Sequence, residues 1–401
     1  MSMVVLPFAN LGGDPGQDYI ADAVTDDLTA ALALSREVLV IGRGTAFTYK
    51  GRAMDARQVG RELGVRYVVE GSARRLGDRL RVNAQLLDAA TGAHLWVHGF
   101  DEPFAEIAGL THMVAVQIAS ALGNRLLDAE IARAGAERPH NPDAVDLVLR
   151  GRALLFGVPS PEAYNEARLL FERAIALGAT SAGTHALLAH VLMGLWTNGW
   201  SEDQEGLLRR AEEHIALALA RDPRLARAHY VSGMVNEGRQ RFDLALAEFD
   251  VALSLAPNFA AIYSRRGRVM TFTDRPAEAM AEFRQAIRIS PREPNIGIPY
   301  NGLAFASLML DRVEDAVAYS VRAVASNPDY AGGRFGLARD LALAGRREEA
   351  RTALGEYLRL RPGTTIAGLR RLSQGQSGYP LYSATWERGA EALRAIGMPE
   401  E

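Results

Sequence analysis

The chain has 401 residues, 48% hydrophobic and 23% charged, with a formal net charge of -3. That length exceeds one ordinary domain, and the hydrophobic content fills more than one core. The near-neutral charge excludes the basic footprint of a nucleic-acid binder, and the absence of cysteine excludes disulfides, thiolate metal sites and cysteine nucleophiles. The first residues, Met1 to Phe8, carry no basic leader, and no run approaches the roughly 18 apolar residues that span a bilayer. A cytoplasmic chain is expected. Arginine supplies nearly all the positive charge, and Lys50 is the only lysine.

Val4-Val5-Leu6, closed by Pro7, predicts a buried strand leading through the turn Gly12-Gly13-Asp14-Pro15-Gly16 into a helix. In that helix Ile20, Val24, Leu28 and Leu32 recur every four residues. Asp18, Asp22, Asp26 and Asp27 are assigned to its positive N-terminal dipole. Val38 to Ile41 predicts a second strand, and Val59 and Leu63 a short helix ended by Gly64. Tyr67 to Gly71, the strict alternation from Arg79 to Leu86, and His94 to Val97 predict an antiparallel meander. Ile107, Leu110, Val114, Ile118 and Leu122 form a helical stripe able to cover the sheet.

Four motifs stand in order here: Leu6-Pro7-Phe8 with the Gly-Gly-Asp-Pro turn, Phe47-Thr48-Tyr49-Lys50-Gly51, Gly64-Val65-Arg66-Tyr67-Val68-Val69-Glu70-Gly71, and Asp88 to Trp96. Together they resemble the TolB amino-terminal-like domain. The resemblance implies a mixed α/β fold and a non-catalytic accessory role. In that family the module precedes tetratricopeptide repeats in bacterial regulators, downstream of a class III adenylate cyclase or winged-helix domain. The sequence leaves open whether such an effector domain precedes Met1. An envelope-associated assembly role, by analogy with TolB itself, is the weaker expectation.

Asp128 to Pro142 is polar and alanine-rich and reads as a linker. Beyond it one pattern is written twice, 34 residues apart: Gly233, Ala245, Phe249, Ala252 and Pro257 return as Gly267, Ala279, Phe283, Ala286 and Pro291. That period is the mark of stacked helix-turn-helix units. Small residues let the two helices approach, the phenylalanine fills the space towards the neighbouring unit, and the proline ends the second helix. Counting outward places repeat starts near Val148, Ala182, Ala226, Ala260, Gly297 and Ala331, with insertions around Trp196–Glu202 and Glu293–Ile296. These units resemble tetratricopeptide repeats. The expected organisation is an α/β domain over 1–127, a linker over 128–144, about six repeats forming an all-α solenoid over 145–364, and a capping segment over 365–401 in which Trp386, Leu393 and Ile396 close the last apolar face.

No catalytic, cofactor or metal constellation emerges. The Gly12–Gly16 turn lacks the frame of a phosphate loop, and Gly42-Arg43-Gly44-Thr45 reads as a glycine-rich turn. His94 with His98, and His185 with His190, find no third ligand. Lys50 reads as a surface residue of the fold. The tetratricopeptide resemblance implies instead a concave groove lined by positions 2, 5, 9 and 12 of each unit, which selects Arg227, Tyr230, Met234, Arg268, Asn301, Phe305, Phe335 and Arg339. Arginines among aromatics suit a protein or peptide partner with acidic side chains. The lysine and asparagine set of the family's carboxylate clamp is absent.

Overall fold

The computed structural model describes residues 2–33, 38–52, 54–121, 142–155, 159–291, 295–373 and 378–401. The fold is a mixed α/β domain followed by an all-α solenoid of the tetratricopeptide type. By internal contacts the chain divides into two units, residues 1–238 with 247–259, and residues 239–246 with 260–401.

The first unit opens with β1 (Ser2–Val5), β2 (Ala9–Asn10), α1 (Asp18–Leu32), β3 (Leu39–Val40), α2 (Arg43–Phe47) and α3 (Ala56–Leu63). There follow β4 (Tyr67–Leu76), β5 (Arg79–Asp88), β6 (His94–Pro103) and α4 (Ile107–Ala121). The sheet order is β3-β1-β4-β5-β6; β1 pairs in parallel with β3 and β4, and β4, β5 and β6 form an antiparallel meander. Alternation along the strands builds two cores. Met3, Val5 and Val69 face α1 and α4, while Val4, Leu6 and Val68 face the side holding Tyr49, Val59 and Leu87. Gly64 ends α3 in the left-handed region at φ 66°, which a glycine reaches without a steric penalty.

Six helix pairs follow among the described residues: α5 (Pro142–Leu155) with α6 (Pro161–Ala176), α7 (Ala182–Thr197) with α8 (Gln204–Arg221), α9 (Ala226–Gly238) with α10 (Phe242–Leu255), α11 (Ala260–Phe272) with α12 (Pro276–Ile289), α13 (Gly297–Met309) with α14 (Val313–Ser326), and α15 (Ala331–Leu343) with α16 (Arg347–Leu360). A β-carbon on Gly233 would lie 2.3 Å from the Phe249 ring. Phe283 fills the equivalent space against Gly267 of its own pair and Gly302 of the next, where added β-carbons would stand 2.9 and 2.3 Å from its ring. Among the described residues two further helices follow, α17 (Ile366–Ser373) and α18 (Pro380–Ala395).

The first pair departs from a count of 34. Gly151 meets Phe171 as Gly233 meets Phe249, yet the first two are 20 residues apart and the second two 16. The extra residues fall between Gly151 and Phe171, so counting back from Gly151 starts the unit near Ala144 and not near Val148. Residues 128–141 of the expected linker lie outside the described residues, while 142–144 belong to α5. Val145 and Leu149 of α5 enter the core shared by α1, α4 and the sheet, so the apolar interior runs on from the α/β layer into the first helix pair.

Candidate partner-binding groove

The groove positions of the first unit meet the α/β domain. Arg152 of α5 pairs with Asp27 at 2.6 Å and reaches Asp26 at 4.0 Å, and Arg43 pairs with Asp26 at 2.5 Å. The Asp26 side chain is only 9% exposed. Burial pushes its carboxyl up, against the pull of Arg43 and then Arg152. Arg227 on α9 stands in the same field; burial, reinforced by Arg152, pulls its guanidinium down to about 10. Its side chain also approaches His190 Nδ1 at 3.4 Å and the Phe259 ring at 5.5 Å. Tyr230 is buried against Phe259 and His190, and Met234 is 2% exposed. A second knot joins α1, α5 and β4: the Tyr19 hydroxyl donates to Asp146, which also pairs with Arg150 at 2.7 Å and Arg75 at 3.6 Å. Asn258 Nδ2 donates to the Val38 carbonyl at 2.8 Å.

The aspartates of α1 are therefore explained by ion pairs more than by the dipole. Asp18 alone occupies the first turn, and the dipole fades beyond it. Asp22 holds Lys50 at 2.7 Å. Gly42-Arg43-Gly44-Thr45, read as a turn, opens α2 and aims Arg43 at Asp26. In the Gly12–Gly16 turn the Gly12 and Gly16 amides donate to Asn10 and Asp14 side chains at 2.8 Å. An open cleft of ≈ 770 Å³ on the sheet domain includes Asn10, Asp18, Lys50, Glu70, Asn83 and Gln85 in its lining. Asn10 donates to Asp18 at 2.9 Å and Gln85 to Glu70 at 2.5 Å, so these groups are engaged with one another.

In the second unit the groove positions hold the chain's own helix α18. Phe272 and Phe305 flank the Tyr382 ring with centroids 5.4 and 5.3 Å away. Burial pushes the Tyr382 hydroxyl up to about 12. The helix N-terminus is met by a carboxylate: the Leu381 and Tyr382 amides donate to Asp274 at 3.0 and 2.7 Å. Such a contact satisfies donors that a helix start leaves open. Asp274 sits at the turn between the helices of its pair with φ 57°, and Asp311 occupies the next such turn with φ 58°. Asp311 accepts from Arg388 at 2.7 Å, and Arg388 also donates to the Leu308 carbonyl at 2.8 Å.

Farther along, Gly389 lies against Arg339, where an added β-carbon would stand 2.8 Å from Cδ. Arg339 donates to Asp340 at 2.7 Å and lies 4.9 Å over the Phe305 ring; buried Asp340 also accepts from Ser320. Ala390, Leu393, Ile396 and Met398 join Leu341, Leu354, Tyr357 and Ile366 in one cluster, with Phe335 and Trp386 packed against it. The Ile366 and Ala367 amides donate to the Pro399 and Glu400 carbonyls at 2.9 and 3.0 Å. The tail thus covers the last helix pair with its C-terminal half and runs up the groove with its N-terminal half. Arg268 lies 5.6 Å over the Phe272 ring, and Asn301 stands where a β-carbon on Gly336 would be 2.3 Å from its Oδ1. Sequence reasoning missed Phe272, Asp274, Asp311, Tyr382, Arg388 and Gly389, and the one local signal was an aspartate recurring at the helix-to-helix turn.

His185 and His190 do not converge. His185 Nδ1 meets His214 Nδ1 at 3.0 Å, and His190 meets Tyr230. Among the described residues no group of three or more His, Cys, Asp or Glu side chains could hold a metal ion, and no helix is long and apolar enough to cross a membrane.

No family model matches the chain. A curated protein described as putative adenylate cyclase 3, from Rhizobium meliloti (strain 1021), is 34% identical over 244 residues, which cover 61% of this chain and 41% of that protein. The chain thus spans about two-fifths of that relative's length. Among solved structures, a thermophilic TPR protein of Thermus thermophilus is similar at 22% identity and TM-score 0.40, covering 49% of this chain and 98% of its own. PilF of Pseudomonas aeruginosa is similar at 20% identity and TM-score 0.42, covering 58% and 97%. YrrB, titled a TPR protein with an unusual peptide-binding site, is similar at 18% identity and TM-score 0.34, covering 51% and 97%.

Proposed function

We propose that the chain is a non-enzymatic bacterial regulatory scaffold, located in the cytoplasm, in which a TolB-like, sensor-type α/β domain is joined to repeats that bind a protein partner. The observation that carries this reading is the row Phe272, Phe305, Phe335 and Arg339, which together with the capping carboxylate of Asp274 grips a helix. Helix-in-groove recognition uses such surfaces. A photo-crosslinking residue placed at Arg268 or Phe335 in the native host tests it. Adducts to another polypeptide, lost when Phe305→Asp is added, are the expected result. Adducts confined to the chain's own tail, even after Tyr382→Ala loosens that tail, would refute it.

A second reading is supported by the 34% identity to part of a putative adenylate cyclase: the chain is the regulatory C-terminal part of a class III nucleotide cyclase. Reading the coding DNA upstream of Met1 tests it, with an in-frame cyclase domain expected. A stop codon directly upstream with no such domain would rule it out.

A further inference from the structure

From the seating of α18 we infer that the groove across α11, α13 and α15 is a receptor for an amphipathic helix, closed in this chain by its own tail acting as an intramolecular ligand. This rests on the protein-interaction reading above and names the class of partner. Three features set the tail apart from an ordinary closing helix. Its start is capped by a residue 107 positions earlier, Asp274, placed by a left-handed turn, and not by a neighbour in its own chain segment. Its aromatic Tyr382 enters a slot between Phe272 and Phe305, which belong to successive repeats. Seven residues on, Gly389 on the same helix face leaves room for the Arg339 stem.

These contacts specify an occupant. It is a helix with free amides in its first turn, an aromatic side chain there, a glycine or similarly bare position seven residues later, and an apolar residue four beyond that, where Leu393 stands. Asp274 selects for the helix start, since a carboxylate is favoured by the positive end of the helix and disfavoured by the other. A partner helix of this pattern competes with α18, and tethering gives the tail a high effective concentration that such a partner must overcome. The groove is therefore open only when the tail is released.

The test uses the full chain and a labelled peptide of residues 378–401, with binding followed by fluorescence anisotropy. Tyr382→Ala with Arg388→Ala loosens the chain's own tail and leaves the groove untouched. The peptide is expected to bind this chain at least tenfold more tightly than the unaltered one, and adding Asp274→Ala is expected to remove the gain. Equal binding to both chains, or binding to neither, overturns the inference.

A second arm guards against misfolding. The chain has no cysteine, so Asp311→Cys with Arg388→Cys gives two sites that a bifunctional maleimide can join. Peptide binding before joining and its loss afterwards is the expected outcome; identical binding overturns the inference. If the peptide behaves as expected while the crosslinks at Arg268 and Phe335 reach no other polypeptide, the partner reading fails and the tail inference stands. Crosslinks to a partner with no peptide binding give the reverse.

Discussion

The two regions of the repeat array treat their groove positions in opposite ways. In the first unit Arg152 and Arg227 face Asp26 and Asp27 in a partly buried seam of charge. In the second, Phe272, Phe305 and Arg339 hold a helix through rings, a bare glycine and one exposed ion pair. A charged seam is strongly specified, because each unpaired member left behind is costly. An apolar slot with a capping carboxylate tolerates exchange of one helix for another. The same repeat positions thus serve a fixed join in one region and an exchangeable one in the other.

The largest expected effect lies in the seam. Arg152→Ala strips Asp27 of its partner and leaves half-buried negative charge, a loss of about 3 kcal/mol, the lower end for broken buried pairs, read by urea unfolding. Arg388→Ala removes a pair whose Asp311 side chain is 81% exposed, and it should cost under about 1 kcal/mol. Equal costs at the two sites would break the comparison.

Acid sharpens it further. Burial, and next His214, hold the His185 imidazole at about 4, below its ordinary 6.5, and burial also lowers His214. The pair meets through facing Nδ1 atoms, one donating and one accepting, an arrangement lost when both carry protons. A depressed histidine contributes stability that is present above the unfolded value and lost as pH falls towards the folded one. The first unit should therefore lose up to about 3 kcal/mol between pH 6.5 and 4. No histidine follows His229 in the sequence. Hydrogen exchange resolved by segment should show α7 and α8 loosening over that interval while α15 and α18 hold.

One expected effect is a gain. Gly355 lies within α16 with no atom of another group within 4 Å of an added β-carbon. Gly355→Ala should raise the stability of the second unit by about 1 kcal/mol through helix propensity alone. A loss on thermal unfolding would mean that this helix face is covered.

The pair Gly233 and Phe249 and its copy at Gly267 and Phe283 were legible because size complementarity recurs at a fixed interval along the chain. The first pair was misplaced because the extension between Gly151 and Phe171 changes the interval without changing the contact. Asp26 and Asp27 were assigned to a dipole because their partners Arg43 and Arg152 are 17 and 125 residues away and no periodicity links them. Arg339 and Phe305 were selected as groove residues from the repeat frame, but the helix lying on them was not foreseen.

By itself the sequence determined the order of an α/β domain and repeated helix pairs and most of their apolar faces, since each depends on the spacing of neighbours along one backbone. Only the tertiary structure decided what occupies the groove. That choice rests on contacts such as Asp274 with the start of α18, separated by 107 residues. Their free energy comes from the geometric match of two distant surfaces, which local spacing does not encode.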